Sequence, residues 1–214
     1  MQSRFKGIIF DVDGTLAYTN RLIFDSFNHI TKKFLAKSYS DKEIINLFGP
    51  TEDIIIKQLF EYNYESARTE YYKYYKDNHS IAQLYEGIKE LIVDIHSSGI
   101  HLAIFTGKGR TSALITLDET DLTKYFDLII SGDDVNNHKP DPEGINKFIQ
   151  FSNLNADDIL MVGDAPSDII AANKAGVQIA SVVWDSYSEE EVSQLNPRNT
   201  FKSVYELRKF IFSR

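Results

Sequence analysis

The chain has no cysteine, which excludes disulfides and thiolate chemistry outright. It has no basic surplus either. Its 23 Lys and Arg stand against 31 Asp and Glu, for a formal net charge of -8. A nucleic-acid partner usually requires a basic stripe, so none is expected. Any phosphate ligand has to be drawn in locally, by a metal or by placed lysines. Long hydrophobic runs are also missing. Met1-Gln2-Ser3-Arg4-Phe5-Lys6 leads into only a short apolar stretch before Asp11, too short for a signal-peptide core or a membrane span. The expectation is a cytoplasmic protein with no membrane partner. The five histidines (His29, His79, His96, His101 and His138) are scattered without ligand spacing. They read as surface or loop residues and argue against zinc. No internal repeat or low-complexity tract stands out.

What is present is an ordinary globular composition, 43% hydrophobic and 25% charged over 214 residues, enough for one large domain or a domain with an insert. Strand-like apolar runs recur at Gly7 to Phe10, Leu102 to Phe105, Leu128 to Ile130, Ile159 to Val162 and Ile179 to Trp184. Helix-like stretches separate most of them. Strands alternating with helices predict an α/β fold with a parallel sheet and crossover helices, and such sheets bind ligands at the carboxyl ends of their strands. Ala17 to Ile81 breaks the alternation and reads as several helices. Asp41 and Thr51 look like N-cap starts within it. The expected organisation is a Rossmann-like core over 1–16 and 82–214, with an inserted all-helical cap over 17–81 hinged at Leu16 to Asn20 and Ile81 to Glu86. Tyr71, Tyr72, Tyr74 and Tyr75 fall within about 160° of helical arc at ~100° per residue. They predict a tyrosine face packed inside the helical segment, with phenol hydroxyls at its wet edge.

Polar residues follow the apolar runs. Asp11-Val12-Asp13-Gly14-Thr15 comes directly after the first. Side chains two apart on extended chain point the same way, so Asp11 and Asp13 are expected side by side, with Gly14 turning the backbone away. Paired carboxylates favour a bound cation, or one ionised and one protonated group. A plain turn is the bland alternative. A calcium loop fails on spacing, because Thr15 and Leu22 stand where its acidic ligands belong. Later runs end in Thr106-Gly107-Lys108-Gly109, in Ser131-Gly132-Asp133-Asp134 followed by Lys139-Pro140-Asp141-Pro142, and in Gly163-Asp164-Ala165-Pro166-Ser167-Asp168. Asp141-Pro142 has the form of an N-cap and first-turn proline. Ser167 or Asp168 suits a cap for a helix ending near Gly176.

Taken in order, these four motifs resemble those of the haloacid dehalogenase superfamily of phosphotransferases, over essentially the whole chain. The branch looks like the phosphoglycolate phosphatase and pyrophosphatase-like hydrolases, and the insert stands where that branch carries a small helical cap. The resemblance implies Asp11 as a nucleophile forming an aspartyl-phosphate and Asp13 as acid and base. Thr106 and Gly107 would hold phosphoryl oxygens, and Lys139 would offset negative charge. It also implies Mg²⁺ as cofactor, held by the Asp11 carboxylate, the Asp13 backbone carbonyl and Asp164, with Asp168 acting from nearby. Lys108 and Arg110 are expected in solvent. The loop Phe48-Gly49-Pro50-Thr51-Glu52 is the cap segment expected to face the site.

The expected activity is hydrolysis of a small phosphorylated metabolite (phosphoglycolate-like, pyrophosphate or a sugar phosphate) by a monomer or homodimer. A sugar phosphomutase of the beta-phosphoglucomutase kind is the alternative. It must grip a second phosphate, which the acidic Thr51-Glu52-Asp53 stretch would repel. A dehalogenase fits less well, because Asp13 and Asp164 are both present. A non-catalytic binding module on the same fold should have lost one of the four motifs.

Overall fold

The computed structural model describes residues 3–184, 189–195 and 198–213. The chain runs β1 (Gly7–Phe10), β2 (Ala17–Tyr18), α1 (Asn20–Leu35), α2 (Asp41–Ile45), α3 (Glu52–Leu59), α4 (Tyr64–Asp77), β3 (Gln83–Leu84), α5 (Ile88–Ser97) and β4 (His101–Phe105). It continues through α6 (Arg110–Glu119), β5 (Leu128–Ile130), α7 (Glu143–Ser152), β6 (Ile159–Gly163), α8 (Pro166–Ala175), β7 (Gln178–Val182), α9 (Glu189–Gln194), β8 (Thr200–Phe201) and α10 (Val204–Phe212).

Six strands form one parallel sheet in the order β5-β4-β1-β6-β7-β8. This is the expected α/β, Rossmann-like architecture. β1 lies inside the sheet, with Ile8 opposite both Leu102 and Leu160. Its four residues are buried without exception, as suits a strand covered on both faces. Side chains alternate between those faces. Ile8, Phe10, Leu102, Ile104, Leu160 and Val162 share one core with residues of α5 and α10. Ile9, Ala103, Phe105 and Met161 share another with residues of α7 and α8. Every loop that leaves β1, β4 and β6 at its carboxyl end therefore opens on the same rim.

α1 to α4 pack on one another around a third cluster that includes Phe24, Phe27, Ile30, Ile56, Tyr71 and Tyr75. Two short strands were not visible in the sequence pattern: β2 and β3 pair antiparallel, with Ala17 opposite Leu84 and Tyr18 opposite Gln83. β8 was missed as well. The last expected strand is shorter than its apolar run, since Val183 and Trp184 lie beyond β7. α2 starts one residue earlier than the pattern predicted. Ser40 is its N-cap and, with Glu43, forms a reciprocal capping box. Thr51 does occupy the N-cap of α3, but its side chain makes no capping bond. Pro142, not Asp141, is the N-cap of α7, and Asp141 instead accepts from Glu143 N at 3.0 Å.

The tyrosine face is packed, but two of its four hydroxyls are not wet. Tyr71 and Tyr75 are wholly buried, and Tyr75 Oη lies 2.9 Å from Thr116 Oγ1 of α6. His79 is also buried rather than at the surface, 3.3 Å from that same hydroxyl. Among the described residues no helix is long and apolar enough to cross a membrane.

Candidate active site

Asp11 follows β1 directly, and its backbone N–H continues the sheet ladder by donating to Val162 O at 2.9 Å. The chain then coils tightly: the N–H groups of Thr15, Leu16 and Ala17 all donate to Val12 O. Gly14 makes the coil possible. It has φ 75°, a left-handed conformation that glycine adopts freely, and a Cβ there would collide with the Asp164 carboxylate. The first and fourth motifs thus meet at a position only glycine fills.

Asp11 and Asp13 do not act as a side-chain pair. Carboxylate oxygens of Asp11, Asp164 and Asp168 lie within 4.8 Å of one another. The Asp13 carboxylate instead accepts from the Thr19 hydroxyl, and its two oxygens lie 3.1 and 3.3 Å from Lys108 Nζ, which donates to both. Asp168 sits at the third helical position of α8. Its Oδ2 accepts from Ala165 N at 3.1 Å and its Oδ1 from Lys139 Nζ at 2.6 Å. Capping and site-building share this residue, as the sequence allowed. Lys139 Nζ is 3.1 Å from Asp11 Oδ1 and also donates to Phe105 O at 3.3 Å. The Lys139-Pro140 peptide is cis. Thr15 Oγ1 donates to Asp164 Oδ1 at 3.1 Å.

This crowding shifts the acids. Burial, helped by Asp168 and Asp13, pushes the Asp11 carboxyl up to about 6 despite the opposing pull of Lys139. Burial, then Asp11 and Asp168, hold Asp164 well above the ordinary carboxylate range. Burial alone would lower Lys139, but Asp11 and Asp168 outweigh it and keep its ammonium above the usual lysine range. A buried cluster of oxygen donors, compensated by one ammonium, fits a hard divalent cation. Both Asp168 oxygens are already engaged, so Asp11 and Asp164 are the carboxylates better suited to ligate. The Asp13 carboxylate lies outside the cluster.

A cavity of about 230 Å³ opens above Asp11. Asp13, Thr106, Gly107, Lys139 and Ser167 line it from the sheet side, and Phe48, Gly49, Pro50, Glu52 and Ile55 from the helical side. The 48–52 loop faces the site, as expected. Thr106 is buried, and its Oγ1 accepts from Lys108 N at 3.2 Å. His138 also lines the cavity, as do Ile23 and Phe27 of α1; the sequence reading gave none of these a place.

Two expectations fail here. Lys108 is not in solvent: its side chain is 1% exposed and lies between Asp13 and Glu52, the latter 3.5 Å away. Burial pulls its ammonium down, but Asp13, Tyr75 and Glu52 outweigh that and hold it above the usual lysine range. The Thr51-Glu52-Asp53 stretch does not present bare charge to the cavity either. Glu52 accepts from Gly109 N at 2.6 Å and Ser112 Oγ at 2.5 Å, and Asp53 is bound by Arg68 and Tyr72. Arg110 does reach solvent, paired with Asp134 at 2.7 Å. The signal for Lys108 was its position, two residues past Thr106 in a loop on the same rim.

The haloacid dehalogenase-like hydrolase family model matches residues 8–182. Pyrophosphatase PpaX of Halalkalibacterium halodurans is 34% identical over 201 residues, covering 94% of each chain. Pyrophosphatase PpaX of Bacillus cereus is 31% identical, covering 85% of this chain and 84% of its own. In three dimensions the chain is similar to a predicted phosphoglycolate phosphatase from Haemophilus somnus. That match has a TM-score of 0.85 at 22% identity and covers 98% of this chain and 99% of the other.

Proposed function

The chain belongs to the haloacid dehalogenase-like hydrolases, and we propose that it is a magnesium-dependent phosphatase working through an aspartyl-phosphate on Asp11. One observation carries the reading. Asp11 lies beneath a cavity whose rim brings together Asp13, Thr106, Gly107 and Lys139, with Asp164 and Asp168 beside it. The pyrophosphatase names of the curated relatives support the same chemistry.

In this scheme an Asp11 oxygen attacks phosphorus as the bond to the leaving oxygen breaks. Asp13 passes a proton to that leaving oxygen. Water then attacks the phosphorus, Asp13 takes its proton, and inorganic phosphate leaves with Asp11 restored. Splitting one difficult displacement into two easier ones is the advantage of the covalent step. The Thr106 hydroxyl and Gly107 N–H hold phosphoryl oxygens, and Lys139 offsets the charge gathered on nucleophile and phosphate. The Asp11 and Asp164 carboxylates and the Asp13 backbone carbonyl, with Asp168 behind them, would hold the ion, which when bound supplies charge neutralisation where two anions meet. Residues 17–81 act as a cap over the 1–16 and 82–214 core, excluding bulk water and selecting the leaving group.

The cavity suits a small substrate: phosphoglycolate-like, pyrophosphate or a sugar phosphate. A phosphomutase has less support. It needs a cation for a second phosphate, and the residues of the helical side that line the cavity are Ile23, Phe27, Phe48, Gly49, Pro50, Glu52 and Ile55. The test is phosphate release across a panel of phosphorylated metabolites with Mg²⁺. Asp11→Asn should lower it roughly 10⁴-fold or more, as loss of a nucleophile does elsewhere. Turnover that survives the substitution would sink the covalent scheme.

A further inference from the structure

Lys108 is a buried cation on the β4–α6 loop whose partners come from both sides of the cavity. Its ammonium donates to both oxygens of Asp13 and lies 3.5 Å from Glu52 Oε1 and 5.0 Å above the Tyr75 ring. Glu52, at the first position of α3, is itself fixed by Gly109 N and Ser112 Oγ. The loop comes close to this carboxylate: a Cβ on Gly109 would stand 2.6 Å from Glu52 Oε2. On its other side Asp13 is held by Thr19, the N-cap of α1. An ammonium bonded to both oxygens of a carboxylate fixes the direction in which that carboxylate points.

We infer that Lys108, oriented by Glu52, is a positioning residue that holds Asp13 as the base for the second half of the reaction. The inference rests on the phosphatase reading. In that half-reaction water attacks the phosphorus of the Asp11 phosphate, and its proton goes to Asp13. The Asp11–phosphorus bond breaks, and phosphate departs. Lys108 acts on this step because it fixes where the Asp13 carboxylate points. Glu52 acts through Lys108 from the helical side, so the step is completed only with that side docked.

The experiment is rapid mixing of the full-length enzyme with p-nitrophenyl phosphate and Mg²⁺, which separates the first burst of nitrophenolate from later turnover. For Lys108→Met the burst should be retained while the following rate falls roughly 10–100-fold, at most the lower end of what lost acid-base help costs. Acid-quenched protein should then carry phosphate. Glu52→Gln should show the same split with a smaller fall, and Lys108→Arg should restore much of the rate. A merely structural role would diminish burst and turnover together, and that result overturns the proposal. So does unchanged turnover in Lys108→Met. Should Lys108→Met fail to fold, Glu52→Gln decides, and an unaltered rate after its burst overturns the proposal. A wild-type enzyme silent on this ester and on the metabolite panel overturns the phosphatase reading and this inference with it. An active wild type with proportional losses overturns this inference alone.

Discussion

Asp13 stands two residues from Asp11 but answers to different partners, and that separation gives the first expectation. Asp13→Asn keeps the shape and the Thr19 contact while losing the proton acceptor. Turnover should fall roughly 10²–10⁴-fold, as steady-state phosphate release would report, and the melting curve should shift down because the buried Lys108 loses a charged partner. Gly14→Ala acts through the backbone instead. It puts a side chain at φ 75° and into the Asp164 carboxylate, so it should cost about 1–3 kcal/mol of stability and weaken metal binding, both measurable by denaturation with and without Mg²⁺. At this scale the sequence was informative wherever a residue closes a strand. Asp11, Thr106, Lys139, Asp164 and Asp168 all converge on one rim. Lys108 and Glu52 were misread because their environment is assembled across the chain: Lys108 meets Asp13 from 95 positions away, and Glu52 meets Ser112 across 60. Spacing patterns carry no record of such meetings, and an isolated lysine looks solvated until its neighbours arrive.

Among the elements, α4 offers a controlled comparison. Tyr75 Oη has a partner in Thr116, whereas Tyr71 Oη is buried with none among the described residues. Tyr75→Phe should cost about 1 kcal/mol, the net worth of a buried hydrogen bond. Tyr71→Phe should be neutral or stabilising, because it removes an unsatisfied polar group. Urea denaturation of both variants checks the contrast, and equal losses would contradict it. The arc of tyrosines was legible in the sequence as a packing face. Its hydroxyls were expected to be wet because the pattern of one helix does not reveal that α6 covers the far side. The sheet strands were readable for a related reason: buried on both faces, they form continuous apolar runs. β2, β3 and β8 span two residues each, too few for any periodicity to show.

For the molecule as a whole, the buried acids link stability to pH and metal. The folded state keeps a proton on Asp11 up to about 6, whereas the unfolded chain releases it near the ordinary carboxylate value of 3.8. Between those values the folded form binds more protons, so the metal-free protein should lose stability as pH rises through the window. The ceiling is about 3 kcal/mol for a shift of this size, and Asp164 adds to it in the same direction. Mg²⁺ should therefore raise the melting temperature clearly near pH ~7.5 and little near pH ~4.5, where protonated carboxyls make poor ligands. An equal rise at both would place the ion elsewhere. The antiparallel pair β2–β3 has a consequence of another kind. The chain passes out to the helical block and returns through adjacent strands, Ala17 opposite Leu84. The six-stranded sheet takes none of its members from between them. A short turn joining those two strands would leave the sheet's connectivity intact, and we propose that the block is an exchangeable cassette. A different cassette spliced at the same two points would inherit the same floor of carboxylates beneath a new roof.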